Sequence, residues 1–111
     1  MKYLLLICGD ENRLNDGQRT AAWNTYTEAL ASTGKLRGGE RLRPAASATT
    51  LRLDGSKQLL SDGPFAETKE QMGGFFVVEA SNLDEAVECA GRMPHLQDGG
   101  SMEIRPIWEL N

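Results

Sequence analysis

The sequence predicts an α+β fold built on one antiparallel sheet, and three observations predict it. Residues 2–8 and 75–80 are short apolar runs with the length and composition of buried strands. Between them, Ala22, Tyr26, Ala29, Leu30 and Thr33 recur at helical spacing, and Asp54-Gly55 sits between two β-prone stretches as a tight-hairpin signal. The chain has 111 residues, 40% of them hydrophobic and 25% charged, which fits one globular domain over 1–111 with no room for a second core.

In chain order, the first strand takes residues 2–8, and Gly9 opens a polar loop to Asn15. Asp16 is the expected N-cap of the first helix, Gly34 its C-terminal stop, and Trp23 the side chain that anchors it to the sheet. Residues 35–44 read as turn-rich because Gly38-Gly39 lies at their middle. Residues 47–53 and 57–60 form the hairpin strands. After a charged loop comes the strand at 75–80. Asn82 then caps the second helix with Glu85 as its capping-box partner, and Pro94 ends it. Met102, Ile104 and Trp108 alternate as a final strand, which Pro106 places at an edge or a dimer seam.

The order is β-α-β-β-β-α-β. Two strand–helix–strand units sharing one antiparallel sheet make the ferredoxin-like β-α-β-β-α-β plan, here with an extra β-hairpin. Both helices then lie on one face of the sheet. The other face needs a cover, and a second subunit supplies it, so a homodimer is expected.

Composition narrows the function classes. A formal charge of -4 and scattered Lys and Arg exclude a general nucleic-acid binder; only Lys35, Arg37, Arg41 and Arg43 cluster, suited to an anionic ligand or to solvent. The N-terminal apolar run is too short for a membrane span and has no cleavage-site pattern after it. Cys8 and Cys89 sit in apolar surroundings as two packed, reduced thiols, the pattern of a cytoplasmic protein.

The densest chemistry lies at residues 62–74, Asp-Gly-Pro-Phe-Ala-Glu-Thr-Lys-Glu-Gln-Met-Gly-Gly, four of them charged side chains of mixed sign ahead of a glycine pair. As a turn, Gly63-Pro64 bends the chain, Asp62 bonds back to following amides, Phe65 plugs the core, and Thr68 with Gln71 caps a short helical turn. Gly73-Gly74 then lets the next strand run close to a neighbour. As a site, Asp62 and Glu67 form a carboxylate pair for acid and base work, while Lys69 holds a substrate carboxylate or a developing enolate. Phe65, Glu11, Arg41 and Arg105 are the ligand-binding candidates, with Glu40 beside them; Arg41 follows glycines that permit close approach. His95, between Pro94 and a Gly-Gly turn, reads as an exposed loop residue rather than a catalyst. There is no Cys/His cluster with metal-ligand spacing and no phosphate-cradling loop, so no metal and no cofactor is expected.

The stretch from Asp62 to Glu70, followed by Gly73-Gly74-Phe75, resembles the signature of the DGPF proteins within the YCII-related family. The opening Lys2-Tyr3-Leu4-Leu5-Leu6-Ile7 with Gly9-Asp10-Glu11, the segment Gly38-Gly39-Glu40-Arg41-Leu42, and Glu103-Ile104-Arg105-Pro106-Ile107 are similar as well. The resemblance implies a dimeric α/β barrel in which two ferredoxin-like subunits pack sheet against sheet. It also implies a possible partner, because members are frequently encoded beside extracytoplasmic-function sigma factors. Some members pair a His with an Asp in a cleft, whereas this chain's single histidine follows the second helix. Three readings stay open: a dimeric small-molecule-binding or accessory protein, a cofactor-independent isomerase, lyase or monooxygenase, and a structural interaction module.

Overall fold

A computed structural model describes residues 1–14, 17, 19–66 and 68–109 of the chain. The elements run β1 (Lys2–Gly9), α1 (Glu11–Leu14), α2 (Thr20–Ser32), β2 (Leu36–Arg41), β3 (Thr49–Asp54), β4 (Lys57–Asp62), β5 (Gln71–Glu79), α3 (Leu83–Ala90) and β6 (Ser101–Pro106), with 3₁₀ turns at Ala45–Ser47 and Pro94–Asp98. The fold is mixed α+β. Four strands form an antiparallel sheet in the order β2-β5-β1-β6, and β3 with β4 forms a separate two-stranded hairpin.

Alternation along β1 sets the two faces of the sheet. Tyr3, Leu5 and Ile7 are buried with Val78, and they pack with Leu30 of α2 and with Ala86 and Ala90 of α3. Leu4 and Leu6 point the other way, opposite Val77 and Phe75, and all four are only half-buried. One face is therefore a core and the other is an apolar surface the chain does not finish covering.

Local chemistry explains several boundaries. Gly34 stands at φ 76° and its N–H donates to the Ala31 carbonyl, the left-handed stop expected after α2. Asn82 accepts the Glu85 N–H at 3.0 Å, while the Glu85 carboxylate turns to Lys35 at 3.2 Å, so only half of the capping box forms. Gly55 takes φ 62° between β3 and β4, as the hairpin signal requires. The Tyr26 hydroxyl donates to the Cys89 carbonyl at 2.7 Å, tying α2 to α3, and burial pushes its pKa up to about 12. Strand β6 is an edge strand, which accommodates Pro106 at its end.

Four expectations need correction. The turn-rich segment around Gly38-Gly39 is the strand β2; a Cβ on Gly39 would lie 2.8 Å from the Phe75 carbonyl oxygen, so the glycine marks close strand approach rather than a turn. Helix α2 begins at Thr20 with Arg19 in the cap position and no side-chain cap bond; Asp16 lies outside the described residues. Phe65 does not plug the core, being 78% exposed. Thr68 caps no helix: its hydroxyl donates to the Glu70 carbonyl, and Gln71, already in β5, donates to the Thr68 carbonyl at 3.0 Å. The Gly73-Gly74 reading holds, since a Cβ on Gly74 would meet the Glu40 carbonyl oxygen at 2.8 Å.

Candidate functional site

A cavity of about 360 Å³ opens between α2 and the covered face of the sheet. Ile7, Gly39, Gly74 and Phe76 give it a floor, with the two glycines removing side chains where depth is needed. Trp23, Asn24 and Thr27 of α2 form one wall, and Leu14 and Arg13 of α1 another. The 3₁₀ turn contributes His95 and Asp98. An apolar and aromatic chamber with a few convergent polar groups is the usual form of a small-molecule site.

Three arginines line this cavity: Arg13, Arg19 and Arg41. Arg41 arrives there by register. It pairs with Gly74, which pairs with Ile7, so it shares the inward face of the sheet. Arg19 grips Asp98 with two hydrogen bonds, Nε to Oδ2 at 3.1 Å and Nη2 to Oδ1 at 2.8 Å. Arg13 donates to the Asp98 carbonyl at 2.8 Å. The Arg19 guanidinium holds the Asp98 carboxyl below the usual aspartate range, so the carboxylate stays charged and keeps Arg19 in place, while the main-chain carbonyl of the same residue holds Arg13.

His95 is 3% exposed, which corrects the expectation of an exposed loop residue. Its ring stacks on Trp23 with centroids 5.5 Å apart and planes 16° from parallel. Nε2 lies 2.8 Å from the Ser101 carbonyl oxygen, and since a carbonyl only accepts, Nε2 carries the hydrogen. Burial lowers the pKa of the imidazole, favouring the neutral ring. Nδ1 is therefore a bare acceptor, and it has no partner among the described residues. Gly100 makes this packing possible, because a Cβ there would stand 2.6 Å from His95 Cδ2.

The remaining sequence candidates lie elsewhere. Arg105 pairs with Leu4, which puts it on the opposite face of the sheet, where Nε meets Glu103 at 2.6 Å in the open. Glu11 accepts the Ala45 N–H at 2.6 Å and so anchors the 3₁₀ turn after β2. Asp62 at the end of β4, Phe65 and Lys69 are exposed and are not among the cavity-lining residues; Glu67 lies outside the described residues. Of the candidates among the described residues, only Arg41 and its neighbour Glu40 line the cavity. Sequence reasoning missed His95, Asp98, Arg13 and Arg19. The signal available was the Pro94…Gly99-Gly100 frame, which fixes a histidine in a rigid turn instead of leaving it loose.

Among the described residues no group of three or more His, Cys, Asp or Glu side chains could hold a metal ion, and no helix is long and apolar enough to cross a membrane. Both cysteines are unpaired thiols, and burial raises the pKa of each.

The family model for the YCII-related domain matches residues 1–111. An uncharacterised protein of Rhizobium meliloti (strain 1021) is 39% identical over 99 residues, spanning 88% of this chain and 75% of that protein. Among solved structures, 5-chloro-2-hydroxyhydroquinone dehydrochlorinase (TftG) from Burkholderia phenoliruptrix AC1100, in complex with 2,5-dihydroxybenzoquinone, is similar with a TM-score of 0.60 and 20% identity, covering 100% of this chain and 96% of that one. At that identity the likeness speaks for the fold.

Proposed function

The chain belongs to the YCII-related family, and on that premise we propose that it binds a small, flat, oxygen-rich anion in the cavity between α2 and the sheet. The observation that carries this reading is the meeting of Arg13, Arg19 and Arg41 with the aromatic surfaces of Trp23 and Phe76 around one chamber. Guanidinium groups match carboxylate and phenolate oxygens, and an aromatic wall favours a planar ring. The complex of the structural neighbour with 2,5-dihydroxybenzoquinone makes a hydroxylated ring the first probe to try.

A second reading, a cofactor-independent enzyme on the same ligand class, has one specific observation in its favour. His95 lines the cavity, neutral and with its buried Nδ1 unpartnered among the described residues. A small opening of its stack on Trp23 would let Nδ1 take a proton from a ring hydroxyl, so that the O–H bond breaks, an N–H bond forms, and the arginines hold the resulting oxyanion. Binding and turnover separate cleanly by experiment. Calorimetric titration with 2,5-dihydroxybenzoquinone reads the first, and loss of proton exchange or product formation in His95→Gln with retained binding reads the second. Absence of binding in the wild type at millimolar probe sinks both.

The protein acts in this reading as a homodimer of ferredoxin-like subunits in the dimeric α/β-barrel manner, with the half-open sheet face of each copy turned to the other. Support comes from Leu4, Leu6, Phe75 and Val77, four half-exposed apolar side chains on one contiguous face. A cytoplasmic setting suits the two unpaired thiols. A sigma factor as accessory partner is tested by co-purification with an extracytoplasmic-function sigma factor from the same organism, and no retention on a tagged bait removes it.

A further inference from the structure

The hairpin Thr49–Asp62 stands apart from the rest of the chain. Every residue of β3 and β4 except Thr50 is exposed. A free two-stranded hairpin is marginal in water and needs something to pack against. This one also carries an apolar face. Leu51 and Leu60 are directly opposite one another, and Leu53 follows Leu51 by two residues, so all three side chains point the same way. Their exposures are 55%, 69% and 65%, and Phe65 just beyond the hairpin stands at 78%.

The base of this arm is nonetheless fixed. The Gly63 N–H donates to the Ala48 carbonyl at 2.7 Å, and the Thr50 hydroxyl donates to the Gly63 carbonyl at 2.8 Å. The arm is thus held out from the body by a hydrogen-bonded root and offers leucines along one face, from its middle towards its tip. The dimensions agree: the radius of gyration is 15.8 Å, against about 13 Å for a compact chain near this length.

We propose that the hairpin is a clasp that packs Leu51, Leu53 and Leu60 onto a second copy of this chain, beside the open sheet face formed by Leu4, Leu6, Phe75 and Val77. This rests on the dimer reading above and extends it. Area favours a second copy as the occupant. The exposed leucines and Phe65 amount to roughly 500 Å² of largely apolar surface, at the upper end of what a monomer leaves open. Two arms and the surfaces they meet, in a two-fold arrangement, remove on the order of 2,000 Å², the scale of a stable dimer. One symmetric association covers both unmatched apolar surfaces of the chain, the arm and the sheet face. It also carries Asp62 and Phe65 to the partner, which accounts for a stiff loop that stays away from its own cavity.

The test is analytical ultracentrifugation of the full chain and of the double variant Leu51→Glu, Leu60→Glu, with circular dichroism to check folding. The clasp predicts a wild-type dimer at micromolar concentration and a folded variant whose dissociation constant is raised at least 100-fold. A wild-type dimer with an unchanged variant overturns the clasp and leaves the sheet-face dimer standing. A wild-type monomer at 100 μM overturns both. If the double variant does not fold, Leu60→p-benzoylphenylalanine decides the matter: irradiation gives covalent dimer if the arm touches a second copy, and only monomer if it does not.

Discussion

The imidazole of His95 and the indole of Trp23 lie face to face, 5.5 Å between centroids and 16° from parallel, although 72 residues separate them in the chain. This stack closes one side of the cavity and buries the chain's only histidine. A ring held neutral in this way makes stability depend on pH. The folded pKa is lowered by burial, so at pH just below the ordinary value of 6.5 the unfolded chain takes up a proton that the folded chain refuses. Stability is full above that value and falls as pH drops below it. Melting curves from pH 8 to pH 5 should show the decline in the wild type and a flatter profile in His95→Gln; parallel profiles would mean His95 is not the group responsible.

Trp23 supplies both packing and ligand surface. Trp23→Ala should lower stability by about 2–3 kcal/mol in urea denaturation, because a half-buried aromatic side chain leaves a space beside His95 and Tyr26. The same variant should weaken binding of a planar probe by tenfold or more.

Gly39 and Gly74 lie where β2 and β5 approach most closely. An added Cβ would meet main-chain oxygen at 2.8 Å in each case, and backbone cannot step aside as a flexible side chain can. Gly39→Ala and Gly74→Ala should each cost about 2 kcal/mol, with Gly38→Ala nearly neutral, since nothing lies within 4 Å of its added Cβ. Chemical denaturation of the three variants checks the ranking.

The Tyr26 hydroxyl joins α2 to the main chain of α3. Tyr26→Phe removes the donor and leaves a carbonyl unsatisfied, an expected loss of about 1 kcal/mol. Thermal unfolding measures it, and an unchanged midpoint would show that water takes over the bond.

Much of the fold was legible because its signals are local. The apolar run of β1, the Asp54-Gly55 turn, Gly34 after α2 and Asn82 before α3 each act on neighbours a few residues away. The errors fall where distant contacts decide. Gly38-Gly39 looks like a turn until Phe75 runs alongside and makes the missing Cβ the condition for pairing. Phe65 looks like a core residue until the arm holds it out in solvent. The cavity was hardest to see, because Trp23, Arg41 and the His95–Asp98 pair come from three elements far apart in the chain, and only the fold brings them together. The charged loop at 62–74 identified the family, while the cavity formed around residues with no motif of their own.

Calorimetric titration with 2,5-dihydroxybenzoquinone decides whether this cavity receives a flat, oxygen-rich anion. Saturable one-to-one binding per chain is expected, weakened at least tenfold in both Arg41→Gln and Trp23→Ala and unchanged in Lys57→Gln at the arm's tip. Absence of heat at millimolar probe, or equal affinity in all four proteins, would contradict it.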